Sequence, residues 1–71
     1  LAARILLAAE RIRSGVLRHD WGALAPGLSV TASFGVAMVA EAATKIGLLA
    51  LADRRMYQAK VGGRNRVVGP A

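Results

Sequence analysis

Leu28-Ser29-Val30-Thr31-Ala32-Ser33-Phe34-Gly35-Val36-Ala37-Met38-Val39 is the stretch that decides the fold. Leu28, Val30, Ala32 and Phe34 alternate with Ser29, Thr31 and Ser33, the period of two expected of a half-buried strand. The alternation breaks at Gly35, where a glycine marks a bulge or the close approach of another backbone. Beyond it, 36–39 is apolar on both faces, as a centrally buried strand would be. This is the clearest strand in the chain.

On its N-terminal side, apolar residues recur every three or four positions at Ala2, Ile5, Ala9, Ile12 and Val16, the stripe of a helix packed against a sheet. Arg4, Arg11 and Arg18 fall off that stripe. The helix is expected to end near Arg18, and 19–27, with Gly22, Pro26 and Gly27, reads as the connection that follows. On the C-terminal side a second helical stripe runs over 44–61 through Ile46, Leu49, Ala52, Met56 and Ala59. Lys45, Arg54, Arg55 and Gln58 lie mostly opposite. Gly62 and Gly63 follow as C-terminal cap candidates, and 66–68 as a short strand. The order helix, strand, helix, strand predicts part of a layered α/β (α+β) domain.

Composition sets bounds on this reading. The 71 residues are 55% hydrophobic, too apolar for a disordered tail, yet the chain is shorter than most single domains. There is no cysteine, so neither a disulfide nor a thiolate metal site can supplement the core, and a reducing compartment is compatible. The opening run 1–9 is interrupted by Arg4 and followed by Glu10, Arg11 and Arg13, too short to span a bilayer and a poor signal peptide. Because the first residues already read as helix interior, the sequence is expected to continue a longer protein.

Ten basic residues against four acidic ones give a net charge of +6, the footprint of an anionic partner. Arg54, Arg55, Lys60, Arg64 and Arg66 carry half of the basic charge, so an anion site is expected late in the chain. The acids Glu10, Asp20, Glu41 and Asp53 are dispersed, which disfavours a paired-carboxylate centre. Lys60 and Arg64 have two open readings. They offset the negative end of a helix macrodipole, or they hold a phosphate by side-chain charge, against the preference of phosphates for helix N-termini. His19 beside Trp21 and Ser33 have no triad spacing for nucleophilic catalysis. Tyr57 is expected to pack with its hydroxyl bonded at the edge of the core. Aromatic residues are only 4%, with no stacking platform for single strands, so a nucleic-acid-binding module is the weakest alternative.

Three motifs change the balance. Ala52-Asp53, then Met56-Tyr57, Ala59-Lys60 and Gly63-Arg64-Asn65 match every fixed position of the closing signature of GGDEF domains. Val30-Thr31, Ser33, Gly35 and Val36 are similar to a strand of that family, and Ala9-Glu10-Arg11-Ile12-Arg13 resembles the end of the helix after its signature loop. The chain therefore resembles the C-terminal portion of one GGDEF domain, spanning 1–71. The resemblance implies a nucleotidyl-cyclase-like fold with a ferredoxin-like core, an antiparallel sheet flanked by helices. It implies a diguanylate cyclase, a nucleotidyltransferase that condenses two GTP into cyclic di-GMP with release of pyrophosphate. Such domains act as homodimers with Mg²⁺ or Mn²⁺, in the cytoplasm, any membrane anchor lying upstream.

By the same resemblance, Lys60 and Arg64 hold the GTP phosphates, and Arg11 matches a helper position of a product-inhibition site. For Arg11 a solvated arginine paired with a nearby acid is an equal reading. The Gly-Gly-Asp/Glu-Glu-Phe loop, the metal-binding aspartate and the phosphate loop beside it do not occur in 1–71. No catalytic or metal-binding residue is therefore expected here, and 1–71 alone should be inactive. The second function that fits the resemblance is a degenerate GGDEF domain that binds GTP or cyclic di-GMP as a sensor.

Overall fold

The computed structural model describes residues 2–70. Helix α1 spans Ala2–Arg18. At its end the Trp21 indole Nε1 donates to the Val16 carbonyl at 2.7 Å, filling one of the acceptors that a helix terminus leaves open. A 3-10 turn, Trp21–Ala23, follows, with the His19 ring edge-on to Trp21 at 4.4 Å. Strand β1 is Phe34–Gly35, a second 3-10 turn is Val39–Glu41, helix α2 is Lys45–Val61, and strand β2 is Val67–Val68. Thr44 caps α2, its hydroxyl accepting the Gly47 N–H at 3.0 Å.

The strands run parallel, with Phe34 beside Val67 and Gly35 beside Val68. Phe34 N–H donates to the Arg66 carbonyl at 3.0 Å and Val36 N–H to the Val68 carbonyl at 2.9 Å. This overturns the expected antiparallel, ferredoxin-like sheet flanked by helices. The described residues form a mostly helical arrangement around one two-stranded parallel ladder. The physical reason is the connection. Residues 36–66 carry the 17-residue α2, and a helical crossover returns the chain to the same end of the sheet, whereas antiparallel neighbours are joined by hairpins. The alternation of 28–33 produces no ladder, because no strand lies beside it among the described residues.

Helix α2 packs on both strands and α1 on β2. Gly35 permits the first contact: a Cβ there would collide with the Met56 amide nitrogen and the Ala52 carbonyl oxygen and lie 2.8 Å from Met56 Cα. At Gly69 an added Cβ would run into the Leu6 side chain of α1. Both helices are turned relative to the expected stripes. On α1, Leu6, Ala9, Arg13 and Val16 face inward, while Ile5 and Ile12 are exposed. On α2 the inward positions are Leu48, Ala52, Arg55 and Ala59, with Ile46 82% exposed. Only Ala9 and Ala59 are buried among the described residues. The radius of gyration is 14.1 Å, against about 11 Å for a compact domain of this length. The described residues form a thin, elongated layer rather than a closed core.

Candidate phosphate-binding site

The C-terminus of α2 ends in a Schellman motif. Arg64 N–H donates to the Ala59 carbonyl at 2.9 Å and Gly63 N–H to the Lys60 carbonyl at 3.4 Å, the 6→1 and 5→2 bonds that close such a cap. Gly62 N–H adds a bond to the Gln58 carbonyl at 2.8 Å. Gly63 takes the positive φ of 119° that glycine tolerates best. The left-handed run then continues into Arg64 (φ 63°) and Asn65 (φ 48°), where an L-residue is disfavoured by roughly 1–2 kcal/mol.

Lys60, in the last turn of α2, and Arg64, just beyond it, are both exposed. Neither side chain makes a hydrogen bond or ion pair among the described residues. A phosphate here faces the negative end of the helix dipole. Two features weaken that opposition. The capping N–H groups occupy the carbonyls of Gln58, Ala59 and Lys60. The Arg66 guanidinium lies across the cap, its Nε donating to the Arg64 carbonyl at 3.0 Å. Added Cβ atoms at Gly62 and Gly63 would sit 2.9 Å from Arg66 Nη1 and 2.6 Å from Nη2, so the two glycines leave that guanidinium its place. Arg66 is a third cation of the cluster, which the late charge run shows but the signature does not single out.

Of the other arginines near the site, Arg55 and Arg13 are engaged within the fold, while Arg54 is exposed with no side-chain partner among the described residues. Arg55 donates through Nη1 to the Val36 carbonyl at 2.7 Å and forms a two-pronged pair with Glu41, 2.5 Å from Nη1 to Oε2 and 2.8 Å from Nη2 to Oε1. The guanidinium, followed by the Met38 N–H at 2.9 Å, holds the Glu41 carboxyl down to about 2. Arg13 donates to both oxygens of Glu10, lowering that carboxyl below its ordinary value, and to Asn65 Oδ1 at 2.8 Å. None of these pairings was expected; Glu41 and Arg55 stand 14 residues apart, with no motif linking them.

Arg11 is exposed on α1, and among the described residues its side chain takes no partner, so the nearby acid, Glu10, pairs with Arg13 instead. Lys60 and Arg64 are brought together at one cap; Arg11 belongs to a different helix. Asp53 is exposed without a hydrogen-bond partner among the described residues. Tyr57 is 67% exposed, contrary to the expected packing, because it lies on the outward face of α2. Thr31 is exposed, and Ser33 Oγ accepts the Asn65 N–H at 3.0 Å, a structural use of the hydroxyl.

Among the described residues no three acidic or histidine side chains cluster. Glu10 and Glu41 are committed to arginines, and the candidate site itself is cationic, so these residues do not fit a Mg²⁺ or Mn²⁺ site and no step is assigned to a metal here. No described helix is long and apolar enough to cross a membrane. No protein-family model, curated protein or solved structure matches the chain.

Proposed function

We propose that residues 1–71 supply the phosphate-binding end of a diguanylate cyclase domain of the GGDEF type, in which Lys60 and Arg64 hold the distal phosphates of GTP. One observation carries this reading. The two cations singled out by the signature stand four residues apart at the α2 cap beside the Arg66 guanidinium, and neither has a protein partner among the described residues, a property they share with Arg54 on the same helix but not with the carboxylate-bound Arg13 and Arg55. Each charge-assisted hydrogen bond to a phosphate oxygen is worth about 1.5–3 kcal/mol. As the α-phosphate of one GTP is attacked by the ribose hydroxyl of the other, the same cations stabilise the charge that develops on departing pyrophosphate. Catalytic groups, the divalent metal and the second subunit of the homodimer come from outside 1–71.

The test uses the intact protein that carries this sequence, assayed for cyclic di-GMP formation from GTP. Lys60→Ala and Arg64→Gly should each lower kcat/KM for GTP by about tenfold or more. Glycine is chosen at position 64 because it accepts the observed φ and so removes the guanidinium without straining the cap. Unchanged kinetics in both variants would sink the assignment. GTP or cyclic di-GMP binding that depends on these residues, without turnover in the parent, would instead favour the sensor.

A further inference from the structure

We propose that Arg13 is a positioning residue for the phosphate site, acting through Asn65 to hold Arg64 in place. This rests on the reading of Arg64 given above. Arg13 and Asn65 stand 52 residues apart, and their side chains meet at 2.8 Å in a half-buried contact. Glu10 orients the donor. Its two oxygens accept from Nε, each at 2.9 Å, and Oε1 also accepts from Nη2, which fixes the guanidinium plane and leaves Nη1 directed at Asn65. An exposed i,i+3 ion pair contributes little by itself. Its effect here is to lock a fork that reaches another element.

Asn65 is held twice. Its Oδ1 accepts from Arg13, and its backbone N–H donates to Ser33 Oγ at 3.0 Å. The Schellman bonds end at the Arg64 N–H, so the helix cap does not fix the backbone beyond Arg64. Two successive non-glycine residues with positive φ need external support to persist. At Asn65 the Arg13 and Ser33 contacts supply it, one from α1 and one from the segment leading into β1, beside the Arg66 Nε bond to the Arg64 carbonyl. Arg13 touches no phosphate in this arrangement; it sets the backbone from which Arg64 projects.

Variants of the intact protein test this with two readouts: amide hydrogen exchange over residues 62–66, and the split between KM and kcat for GTP. Arg13→Ala is expected to speed exchange at Arg64 and Asn65 and raise KM about fivefold, with a smaller change in kcat. Arg13→Lys, which keeps the charge but loses the fork, should show a weaker form of both effects. Asn65→Asp keeps an acceptor and tolerance of positive φ, and should stay near the parent protein. In an Arg64→Gly background, Arg13→Ala should add nothing further to KM, because the group it positions is gone. Unchanged exchange in Arg13→Ala, or a KM effect that persists in the Arg64→Gly background, overturns the proposal while leaving the phosphate reading intact. If Arg64→Gly itself leaves GTP kinetics unchanged, the phosphate reading falls and the proposal falls with it.

Discussion

Gly35 shows how one missing side chain can decide a packing distance. The backbone of β1 meets α2 at Ala52 and Met56 with no room for a methyl group. Overpacking of this kind costs about 1–3 kcal/mol, and the obstructing atoms are main chain, which cannot swing aside. Gly35→Ala is therefore expected to lower stability by that amount in urea denaturation of the intact protein; an unchanged midpoint and slope would mean that α2 does not sit on β1 as described. The break in alternation at Gly35 was legible in the sequence, including the option of a close backbone approach. Its partner was not, because nothing local to Ser33-Phe34-Gly35 specifies which backbone arrives. Likewise Gly62 and Gly63 were legible as a cap, but the continuation of positive φ into Arg64 and Asn65 depends on Ser33 and on Arg13, both distant in sequence.

At the level of elements, the extents of α1 and α2 followed from apolar periodicity and glycine placement, but their rotation did not. The expected stripe of α2 is split, with Ala52 and Ala59 inward and Ile46, Leu49 and Met56 exposed, and Arg55 faces inward because its guanidinium finds the Val36 carbonyl and the Glu41 carboxylate. Periodicity scores a side chain by hydropathy and so assigns such an arginine to solvent. This pair has a measurable pH signature. The carboxyl of Glu41 falls from its ordinary value of 4.5 to about 2 in the folded state. Its contribution is therefore fully present above 4.5 and is lost as pH falls from 4.5 toward about 2. Glu41→Gln should be less stable than the parent at pH 7, and the difference between the two proteins should shrink over that acid window in thermal melts. A difference that is constant from pH 7 to pH 2 would rule out the ion pair as its source. Glu10 shifts in the same direction in both proteins, so the comparison isolates Glu41.

For the whole molecule, the order helix, strand, helix, strand was readable, and the helix expected over 44–61 between the two strands already pointed to a parallel pair. The antiparallel sheet was implied by the family resemblance alone, and the parallel pairing of Phe34–Gly35 with Val67–Val68 across α2 overturns it. The apolar content expected to form a core is largely exposed in the described residues: Leu24 is 72%, Leu49 59% and Val39 78% exposed. Ile5 and residues 37–40 line an open apolar hollow of about 480 Å³. So much uncovered apolar surface exceeds what a stable, monomeric domain usually presents. The isolated 71-residue chain should accordingly bind an apolar dye such as ANS and melt broadly. A sharp melt without dye binding would show that 1–71 closes its own core.

The contact at Gly35 also gives α2 a fulcrum. The contact spans Ala52 and Met56, so its centre near Arg54 lies nine residues from Lys45 and seven from Val61, arms of about 13 Å and 10 Å at 1.5 Å per residue. Rocking about that point would move the Lys60 end through about three quarters of the arc of the Thr44 end. The cap that carries Arg64 thus sits on the short arm, where a disturbance entering at the far end of the helix arrives reduced.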